Sequence, residues 1–178
     1  MALEQLTAVL PPSRGAAPPR IDWPDVERAF GAVLPDDYKE LVGVYGAGSF
    51  DDFLWVLQPA HENPNIDLVT QRSVRLDAMR TLVRQWGGTV PHSLDDNRPG
   101  ILPWAFTDNG DVCYWLCEPW EKPGNWRVTV NESRGSRWEV FDGSATEFLL
   151  AVFTRARRSQ IFPEDFPSED PAFQPLGV

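Results

Sequence analysis

The stretch of sequence that decides the fold is LPDDYKELVGVYGAGSF, residues Leu34–Phe50, which predicts a short helix followed by a sharp turn into a strand. Pro35 suits the first turn of a helix, and the carboxylates of Asp36 and Asp37 suit the positive end of the helix dipole. Gly46 is placed to take the left-handed conformation that ends a helix. A phosphate-binding loop is the less favoured interpretation of these glycines, because it would need a preceding strand and more glycines. One apolar stripe at helical spacing should face a core; it consists of Tyr38, Leu41, Val42 and Tyr45.

Further helices and strands are predicted on both sides of this stretch. A helix capped by Asp22 precedes it, and a last helix begins at the capping box formed by Ser144 and Glu147. The pair Asn109-Gly110 favours the tight turn of a β-hairpin, because both residues tolerate the left-handed conformation. The predicted strands are Phe53–Leu57, Trp104–Thr107, Val112–Cys117, Trp126–Val130 and Arg137–Phe141.

A long helix is predicted from Ile66 to Trp86, where Gly87 ends it. Its apolar residues form an imperfect stripe, namely Val69, Leu76, Met79, Leu82, Val83 and Trp86. Its arginines lie off that stripe and are predicted to form a solvated face, since the chain around them is acidic; they are Arg72, Arg75, Arg80 and Arg84.

The order of these motifs resembles the SMI1/KNR4 (SUKH) superfamily. The resemblance rests on LPDDY and YGAGSF, then the hairpin ILPWAFTDNGDVCYWL, then the strand RWEVF and the helix start SATEFL, in that order between Ile21 and Arg157. It implies an α+β fold: a single domain with a mostly antiparallel, twisted sheet of about 4–6 strands and helices packed around it.

Three segments are predicted along the chain. Residues 1–20 should be a flexible N-terminal segment with a Pro-rich linker, residues 21–158 the SMI1/KNR4-like domain, and residues 159–178 a Pro-rich, acidic C-terminal tail. The tail is interrupted by prolines and should lie extended along the surface or be mobile, although three phenylalanines could hold it against the domain; they are Phe162, Phe166 and Phe173.

Composition and charge narrow the classes of function. The chain has 178 residues and a formal net charge of −10, which disfavours direct binding to nucleic acid or to an anionic membrane, since both require clustered Lys and Arg. A basic protein partner fits the charge better. No run approaches the roughly 18 apolar residues of a membrane helix, and the N-terminus lacks the pattern of a signal peptide, so a cytoplasmic location is expected.

No catalytic residues, metal site or cofactor are expected. His61 and His92 stand in predicted loops outside any metal or triad signature. Cys113 and Cys117 are four residues apart in a predicted strand, which separates their Cα atoms by about 13 Å, beyond the reach of a disulfide. Adjacent aspartates such as Asp95-Asp96 could serve acid–base chemistry, but neighbouring side chains usually point apart.

A partner-binding surface is the sharper hypothesis. Acidic residues in predicted turns and strand ends alternate with tryptophans, and aromatic residues within an acidic rim suit a basic protein partner. The alternative for each residue is that the tryptophan belongs to the core and the acid solvates a loop. The predicted partner-binding residues are Asp51, Asp52, Trp55, Asp108, Asp111, Trp115, Glu118, Trp120 and Glu121.

Three functions remain open from the sequence. The resemblance implies a non-enzymatic immunity protein that neutralises a cognate bacterial toxin, often a nuclease, by direct binding; the partner would then be a basic toxin domain. The second possibility is a regulatory scaffold or adaptor of the same fold that docks through its proline-rich ends. The third is a small-ligand-binding protein or enzyme with a pocket among the tryptophans.

Overall fold

The computed structural model describes residues 1–13, 19–133 and 136–176. The helices are α1 (Ala2–Val9), α2 (Trp23–Phe30), α3 (Asp36–Tyr45), α4 (Leu68–Trp86) and α5 (Ala145–Phe153), with a short 3-10 turn at Pro123–Asn125. The strands are β1 (Gly48–Phe50), β2 (Leu54–Val56), β3 (Ile101–Thr107), β4 (Val112–Leu116), β5 (Arg127–Asn131), β6 (Trp138–Phe141) and β7 (Phe173–Pro175).

The strands form one antiparallel sheet in the order β6-β5-β4-β3-β2-β1-β7. The predicted α+β class with a single antiparallel sheet is therefore confirmed. The sheet has seven strands within the described residues rather than four to six. The additional strands are short, and β7 comes from the C-terminal tail, where Phe173 pairs with Phe50.

One face of the sheet carries the main core. Trp115 of β4 is fully buried, with its ring centroid 4.9 Å from that of Tyr38 on α3 and 6.5 Å from that of Phe30 on α2. Trp104 of β3 packs edge-on against Phe148 of α5. Aromatic side chains from three helices thus fill this face, which explains why so many tryptophans and phenylalanines are needed in a chain of this length.

Two carboxylates complete the helix ends that frame this core. The predicted capping box is present, with the Glu147 backbone N–H donating to Ser144 and the Ser144 N–H donating to Glu147. Asp37 of α3 also accepts the backbone N–H of Thr146 at 3.0 Å, so it holds α3 and α5 together. Pro35 lies one position before the helix rather than inside it. Gly46 ends the helix with a positive φ of 69°, but its ψ of −158° differs from the left-handed helical conformation that the sequence suggested.

Helix α4 covers the opposite face, and its orientation corrects the predicted solvated arginine face. Arg72 and Arg75 are half-buried, and the Arg75 guanidinium lies 4.8 Å from the ring centroid of Phe106 on β3. Leu82 and Val83, expected in the core, are instead about two-fifths exposed, at 43% and 40%. Arginine stems and planar guanidinium groups can pack on aromatic rings, which a hydrophobic pattern does not register.

The described parts of the N-terminal and C-terminal segments pack on the domain. This differs from the flexible N-terminal segment that the sequence suggested, whereas for the tail it agrees with the alternative in which phenylalanines hold it against the domain. Leu6 and Leu10 are fully buried against the core, and the Tyr45 hydroxyl donates to the Leu10 carbonyl at 2.7 Å. Phe162 and Phe173 are buried at the other end. Short helices and strands of this kind are stabilised by packing rather than by local propensity. Residues 14–18 of the predicted linker and residues 177–178 of the tail lie outside the described residues.

Candidate functional site

Two hairpin turns meet at one end of the sheet and bring four of the predicted residues together. Strands β2 and β3 pair with Leu54 opposite Thr107, and the Asp108 N–H donates to the Phe53 carbonyl at 3.0 Å. The β1–β2 turn and the β3–β4 turn are therefore neighbours. We call the resulting surface the acidic ridge; its residues are Asp51, Asp52, Trp55 and Asp108.

The β1–β2 turn holds two carboxylates in an unusual backbone conformation. Asp51 and Asp52 have φ of 56° and 50°, the left-handed region at both central positions of the turn that the Phe53 N–H closes by donating to the Phe50 carbonyl at 3.3 Å. Aspartate is among the few non-glycine residues that adopt this conformation, and the turn matches the twist of the strands. Asp51 is fixed by the tail, accepting the Ser168 N–H at 2.7 Å and its hydroxyl at 2.6 Å. Asp52 remains exposed.

Trp55 is fixed beside the second turn. Its indole N–H donates to the Asp108 carboxylate at 2.7 Å, and its ring stacks on Phe106 with a 12° interplanar angle and centroids 6.4 Å apart. The half-buried indole therefore has a defined orientation before any partner arrives. A preorganised aromatic side chain loses little conformational freedom on binding, which favours affinity. Sequence reasoning missed Phe106, which only the strand register places next to Trp55.

The ridge is unneutralised. Among the described residues, neither Asp51, Asp52 nor Asp108 forms an ion pair with a lysine or arginine. The tail adds Glu169 and Asp170 directly after Ser168, both exposed and likewise without an ion pair in the parts of the chain that are described. Sequence reasoning did not include these two carboxylates because the tail was not expected to pack beside the hairpin turn.

Asp111 and Trp115 do not belong to this surface, which corrects the predicted site. Asp111 is only 3% exposed and accepts the Thr107 hydroxyl at 2.8 Å and the Ser133 N–H at 3.0 Å. Its carboxylate satisfies donors at the base of the hairpin. Trp115 is fully buried among Tyr38 and other aromatic rings. Neither side chain can contact a partner unless the protein unfolds locally.

Glu118, Trp120 and Glu121 lie at the other end of the sheet. They follow β4, whose first residue stands near the acidic ridge and whose last residue pairs with the start of β5. Glu121 is paired with Arg98 at 2.9 Å, and Trp120 leans on the buried Trp126 with centroids 5.8 Å apart. The nine predicted residues are thus divided between two ends and the core, and they do not form one surface.

The structure offers little for covalent or metal chemistry. Cys113 and Cys117 are free, buried thiols, and burial raises the pKa of both well above the usual thiol value. Within the described ranges, no group of three or more His, Cys, Asp or Glu side chains could hold a metal ion. Trp104, Trp115 and Trp126 pack on one another through Trp115 rather than around a cavity. No helix in the described part of the chain is long and apolar enough to cross a membrane.

Comparison with known proteins agrees with the fold. Residues 22–149, most of the chain, match the family model described as SMI1-KNR4 cell-wall. The match begins at the N-cap of α2 and ends inside α5, so it includes strands β1 to β6 and all four residues of the acidic ridge. No curated protein and no solved structure matches the chain.

Proposed function

Because the chain belongs to the SMI1-KNR4 family, we propose that it is a non-enzymatic protein-binding domain that neutralises a bacterial toxin by direct contact with a basic surface of that toxin. The contact surface is the acidic ridge. The observation that supports this proposal is the set of unneutralised carboxylates around Trp55, at a point where two hairpin turns hold them in fixed positions.

The electrostatics of the ridge suit a cationic partner. Charged patches accelerate association by attracting the partner before contact, and the net charge of −10 adds to this attraction. A nuclease must present Lys and Arg to the phosphate backbone. A protein that places carboxylates on that surface therefore competes with nucleic acid for the same positive groups.

Trp55 supplies the apolar part of the contact. Tryptophan is enriched among the few residues that dominate binding energy, and its face also attracts guanidinium and ammonium groups. An arginine of the partner could lie over the indole while forming an ion pair with Asp108, because the hydrogen bond between Trp55 and Asp108 already places the ring and the carboxylate together. This arrangement requires no rearrangement of the backbone.

The test is co-expression with a toxin encoded beside the gene, followed by binding kinetics on purified proteins. In the double variant Asp52→Asn/Asp108→Asn, the amides preserve the turn and the acceptor for Trp55 but remove two charges. We expect protection to weaken and the association rate constant to fall about tenfold or more, more steeply at low salt. Trp55→Ala should mainly accelerate dissociation.

Matched controls remove the same charge elsewhere. Glu40→Gln/Glu62→Gln alters exposed carboxylates away from the ridge, and Glu118→Gln/Glu121→Gln alters the opposite end of the sheet. Both should bind like the wild type. Equal losses of toxin affinity in all three double variants would indicate an effect of net charge alone. A loss of affinity only in Glu118→Gln/Glu121→Gln would place the contact surface at the other end of the sheet. Absence of both protection and a complex with every adjacent toxin would refute the proposal.

The packing of the tail on the domain gives less support to the alternative function, an adaptor that docks through its proline-rich ends. Phe162 and Phe173 are buried, and Arg155 donates to the Pro167 carbonyl at 3.0 Å and the Ser168 carbonyl at 2.9 Å, so this segment is occupied by the domain itself. Deleting residues 159–178 would remove β7 and is not a clean test. The variant Glu164→Gln/Asp165→Asn changes exposed tail residues without removing buried ones; partner capture that depends on them would favour the adaptor.

A further inference from the structure

Strand β6 forms one edge of the sheet, and its backbone groups point alternately toward and away from the neighbouring strand. The Glu132 N–H donates to the Arg137 carbonyl at 3.1 Å, and hydrogen-bonded positions alternate along an antiparallel ladder. The backbone groups of Arg137 and Glu139 are therefore directed at β5. Those of Trp138 and Val140 are directed outward, where the sheet ends.

Most of the outward groups of β6 are unpaired. Within the described ranges, no hydrogen bond engages the N–H or the carbonyl of Trp138 or the N–H of Val140, whereas the Val140 carbonyl accepts the Arg157 guanidinium at 2.9 Å. Proteins usually protect such an edge with proline, lysine or a covering segment, because it can pair with a strand of another chain. Residues Trp138–Phe141 include neither proline nor lysine.

The other edge of the sheet, β7, is protected. The Leu176 N–H donates to the Ala47 carbonyl at 2.9 Å, so the preceding residue, Pro175, is directed outward. Proline has no N–H, and its position at an edge prevents a further strand from completing the ladder. The edge formed by β6 is therefore the one that can accept a strand.

The charges of β6 favour one register for pairing with a second copy of the chain. Two antiparallel strands related by a two-fold axis form hydrogen bonds where their outward residues meet. With Trp138 opposite Trp138 of the second copy, Arg137 lies opposite Glu139 of the second copy, and the symmetry repeats this pair. Unlike charges directly opposite each other stabilise a pair of strands.

Neighbouring registers are less favourable. A shift of the axis by one residue places either Arg137 opposite Arg137 or Glu139 opposite Glu139 of the second copy, and like charges in that position are destabilising. A shift to Val140 sets Glu139 against the apolar Phe141. It also pairs the strands through two Val140 carbonyls that already accept Arg157. The register centred on Trp138 avoids all of these conflicts.

Apolar surface beside β6 adds to this pairing. A cleft of about 550 Å³ lies next to Trp138 on the α4 face, where Met79 and Leu82 line it. Leu82 is 43% exposed, and Val140, on the same face of β6 as Trp138, is 41% exposed. Directly opposite residues of two strands point to the same face, so Trp138 of the second copy would pack beside this apolar surface. Pairing thus removes apolar area from water.

We propose that β6 pairs with β6 of a second copy of the chain, antiparallel and centred on Trp138, so that two sheets become one. A four-residue strand forms a smaller contact than a standard interface, and each copy carries a net charge of −10, so the dimer is weak and reversible. The interaction is independent of toxin binding and can be tested without a toxin.

The dimer leaves both acidic ridges accessible. Asn131 pairs with Val112 on one side and with Trp138 on the other, so β6 begins at the end of the sheet that carries the ridge. Because the second β6 runs in the opposite direction, its own ridge lies at the opposite end of the joined sheet. One dimer therefore presents two separate toxin-binding surfaces.

The experiment measures self-association of the full chain by sedimentation equilibrium and amide exchange of the backbone by NMR. We expect a reversible dimer with a dissociation constant between about 10 μM and about 1 mM. Exchange of the Trp138 and Val140 amides should slow as the dimer fraction rises, since both N–H groups become hydrogen-bonded in the dimer.

Two variants test the backbone and the charge separately. Val140→Pro removes an outward N–H that the monomer does not use and should weaken dimerisation by about tenfold or more, whereas the conservative Val140→Thr keeps the N–H and should dimerise like the wild type. Arg137→Glu sets two carboxylates opposite each other and should weaken dimerisation by about tenfold. Arg28→Glu changes the net charge equally at an exposed residue of α2 and should have a smaller effect.

Disulfide crosslinking tests the register. In the proposed pairing, residue 140 lies opposite Ser136 of the second copy, and opposite residues of a hydrogen-bonded pair have Cα atoms about 5.5 Å apart, within the range of a disulfide. A mixture of Ser136→Cys and Val140→Cys should therefore form the mixed disulfide under mild oxidation. Either variant alone should crosslink slowly, because identical residues lie about 14 Å apart along the strands. The native cysteines are buried.

Several outcomes would overturn the proposal. These are a monomer at about 1 mM with unchanged amide exchange, a dimer that Val140→Pro does not weaken, and equal losses in Arg137→Glu and Arg28→Glu. Faster crosslinking of Val140→Cys alone than of the mixture would refute the register. Slower exchange at Trp138 and Val140 only after a toxin is added would assign this edge to the toxin. Thermal unfolding checks each variant, and if Val140→Pro fails to fold, Arg137→Glu and the crosslinks decide.

Discussion

Ser168 donates both its backbone N–H and its hydroxyl to the carboxylate of Asp51, at 2.7 and 2.6 Å, across 117 residues of sequence. This contact attaches the C-terminal segment to the β1–β2 turn and places Glu169 and Asp170 beside the acidic ridge. It also gives the left-handed backbone of Asp51 a structural reason, since the turn aims that carboxylate at the tail. Asp52, its neighbour in the same turn, is exposed instead.

Replacement of Asp51 by asparagine should lower the free energy of unfolding by about 1 kcal/mol. Asparagine tolerates the left-handed backbone, so the change tests the charged acceptor rather than the turn. Asp52→Asn is the matched control and should stay within about 0.5 kcal/mol of the wild type, as exposed substitutions usually do. Urea unfolding measures the free energy of unfolding of both variants. An equal loss in Asp52→Asn and Asp51→Asn would contradict a specific stabilising role of the contact between Asp51 and Ser168.

Gly48 of β1 stands where β7 leaves no room for a side chain. A Cβ at this position would lie 2.5 Å from the Phe173 ring and closer still to the Gln174 carbonyl. Gly48→Ala should therefore destabilise the protein by about 2–3 kcal/mol or displace the tail. A denaturant midpoint unchanged from the wild type would show that β7 does not pack on β1 in solution.

Gly43 provides the control for this substitution. It lies exposed in α3, and a Cβ there meets nothing within 4 Å. Because alanine is the better helix former, Gly43→Ala should raise the free energy of unfolding by up to about 1 kcal/mol. If the free energy of unfolding falls in Gly48→Ala and rises in Gly43→Ala, the loss in the first variant is due to the close approach of β7 and not to a general effect of replacing glycine.

Local signals in the sequence were sufficient to predict the elements that begin or end at characteristic turn, capping or helix-stop residues. The capping box at Ser144 and the helix stop at Gly46 appear where the sequence predicted them. The β3–β4 hairpin is also present, but the Gly110 N–H closes its turn on the Thr107 carbonyl, so that Gly110 has a positive φ of 88° and Asn109 does not take the left-handed conformation. These features depend on backbone preferences within a few residues, so no knowledge of distant neighbours is required. The resemblance to the family rests on the same elements.

The tertiary features were less predictable. Strand β7 is three residues long, and its pairing with β1 depends on the burial of Phe173 rather than on any pattern in the tail. Arg75 of α4 faces the sheet because the Phe106 ring attracts its guanidinium. Of the predicted apolar stripe, Leu76 is fully buried, whereas Leu82 and Val83 near the end of the helix are exposed. Trp115 looked like part of a surface because acidic turns flank its strand, yet its side chain points into the core.

His92 should make stability depend on pH in the mildly acidic range. Burial lowers its pKa below the usual histidine value, while Glu118 opposes the shift. Below about pH 6.5 the unfolded chain binds the proton more readily than the folded protein, so stability falls as the pH decreases towards the folded-state pKa. Above that range His92 is neutral in both the folded and the unfolded state, so it causes no further change of stability with pH.

The measurement compares urea midpoints at about pH 7.5 and about pH 5.5. His92→Gln should reduce the difference between the two midpoints, since glutamine does not titrate. His61→Gln removes the other histidine, which accepts the Asn63 N–H in a surface loop, and should retain the difference. An unchanged pH dependence in His92→Gln would show that other groups produce it.

The two cysteines should be inert in the folded protein. Cys113 is fully buried and Cys117 is 2% exposed, and burial raises the pKa of both thiols, so little reactive thiolate is present at neutral pH. Alkylation by iodoacetamide should proceed at least about a hundredfold more slowly in native buffer than in denaturant, because it requires local or global opening. The variant Val33→Cys, at a position 59% exposed, supplies a reactive thiol as an internal standard. Mass spectrometry should then find one label on that variant and none on the wild type at short times; prompt labelling of Cys113 or Cys117 would mean that the sheet opens far more readily than its packing implies.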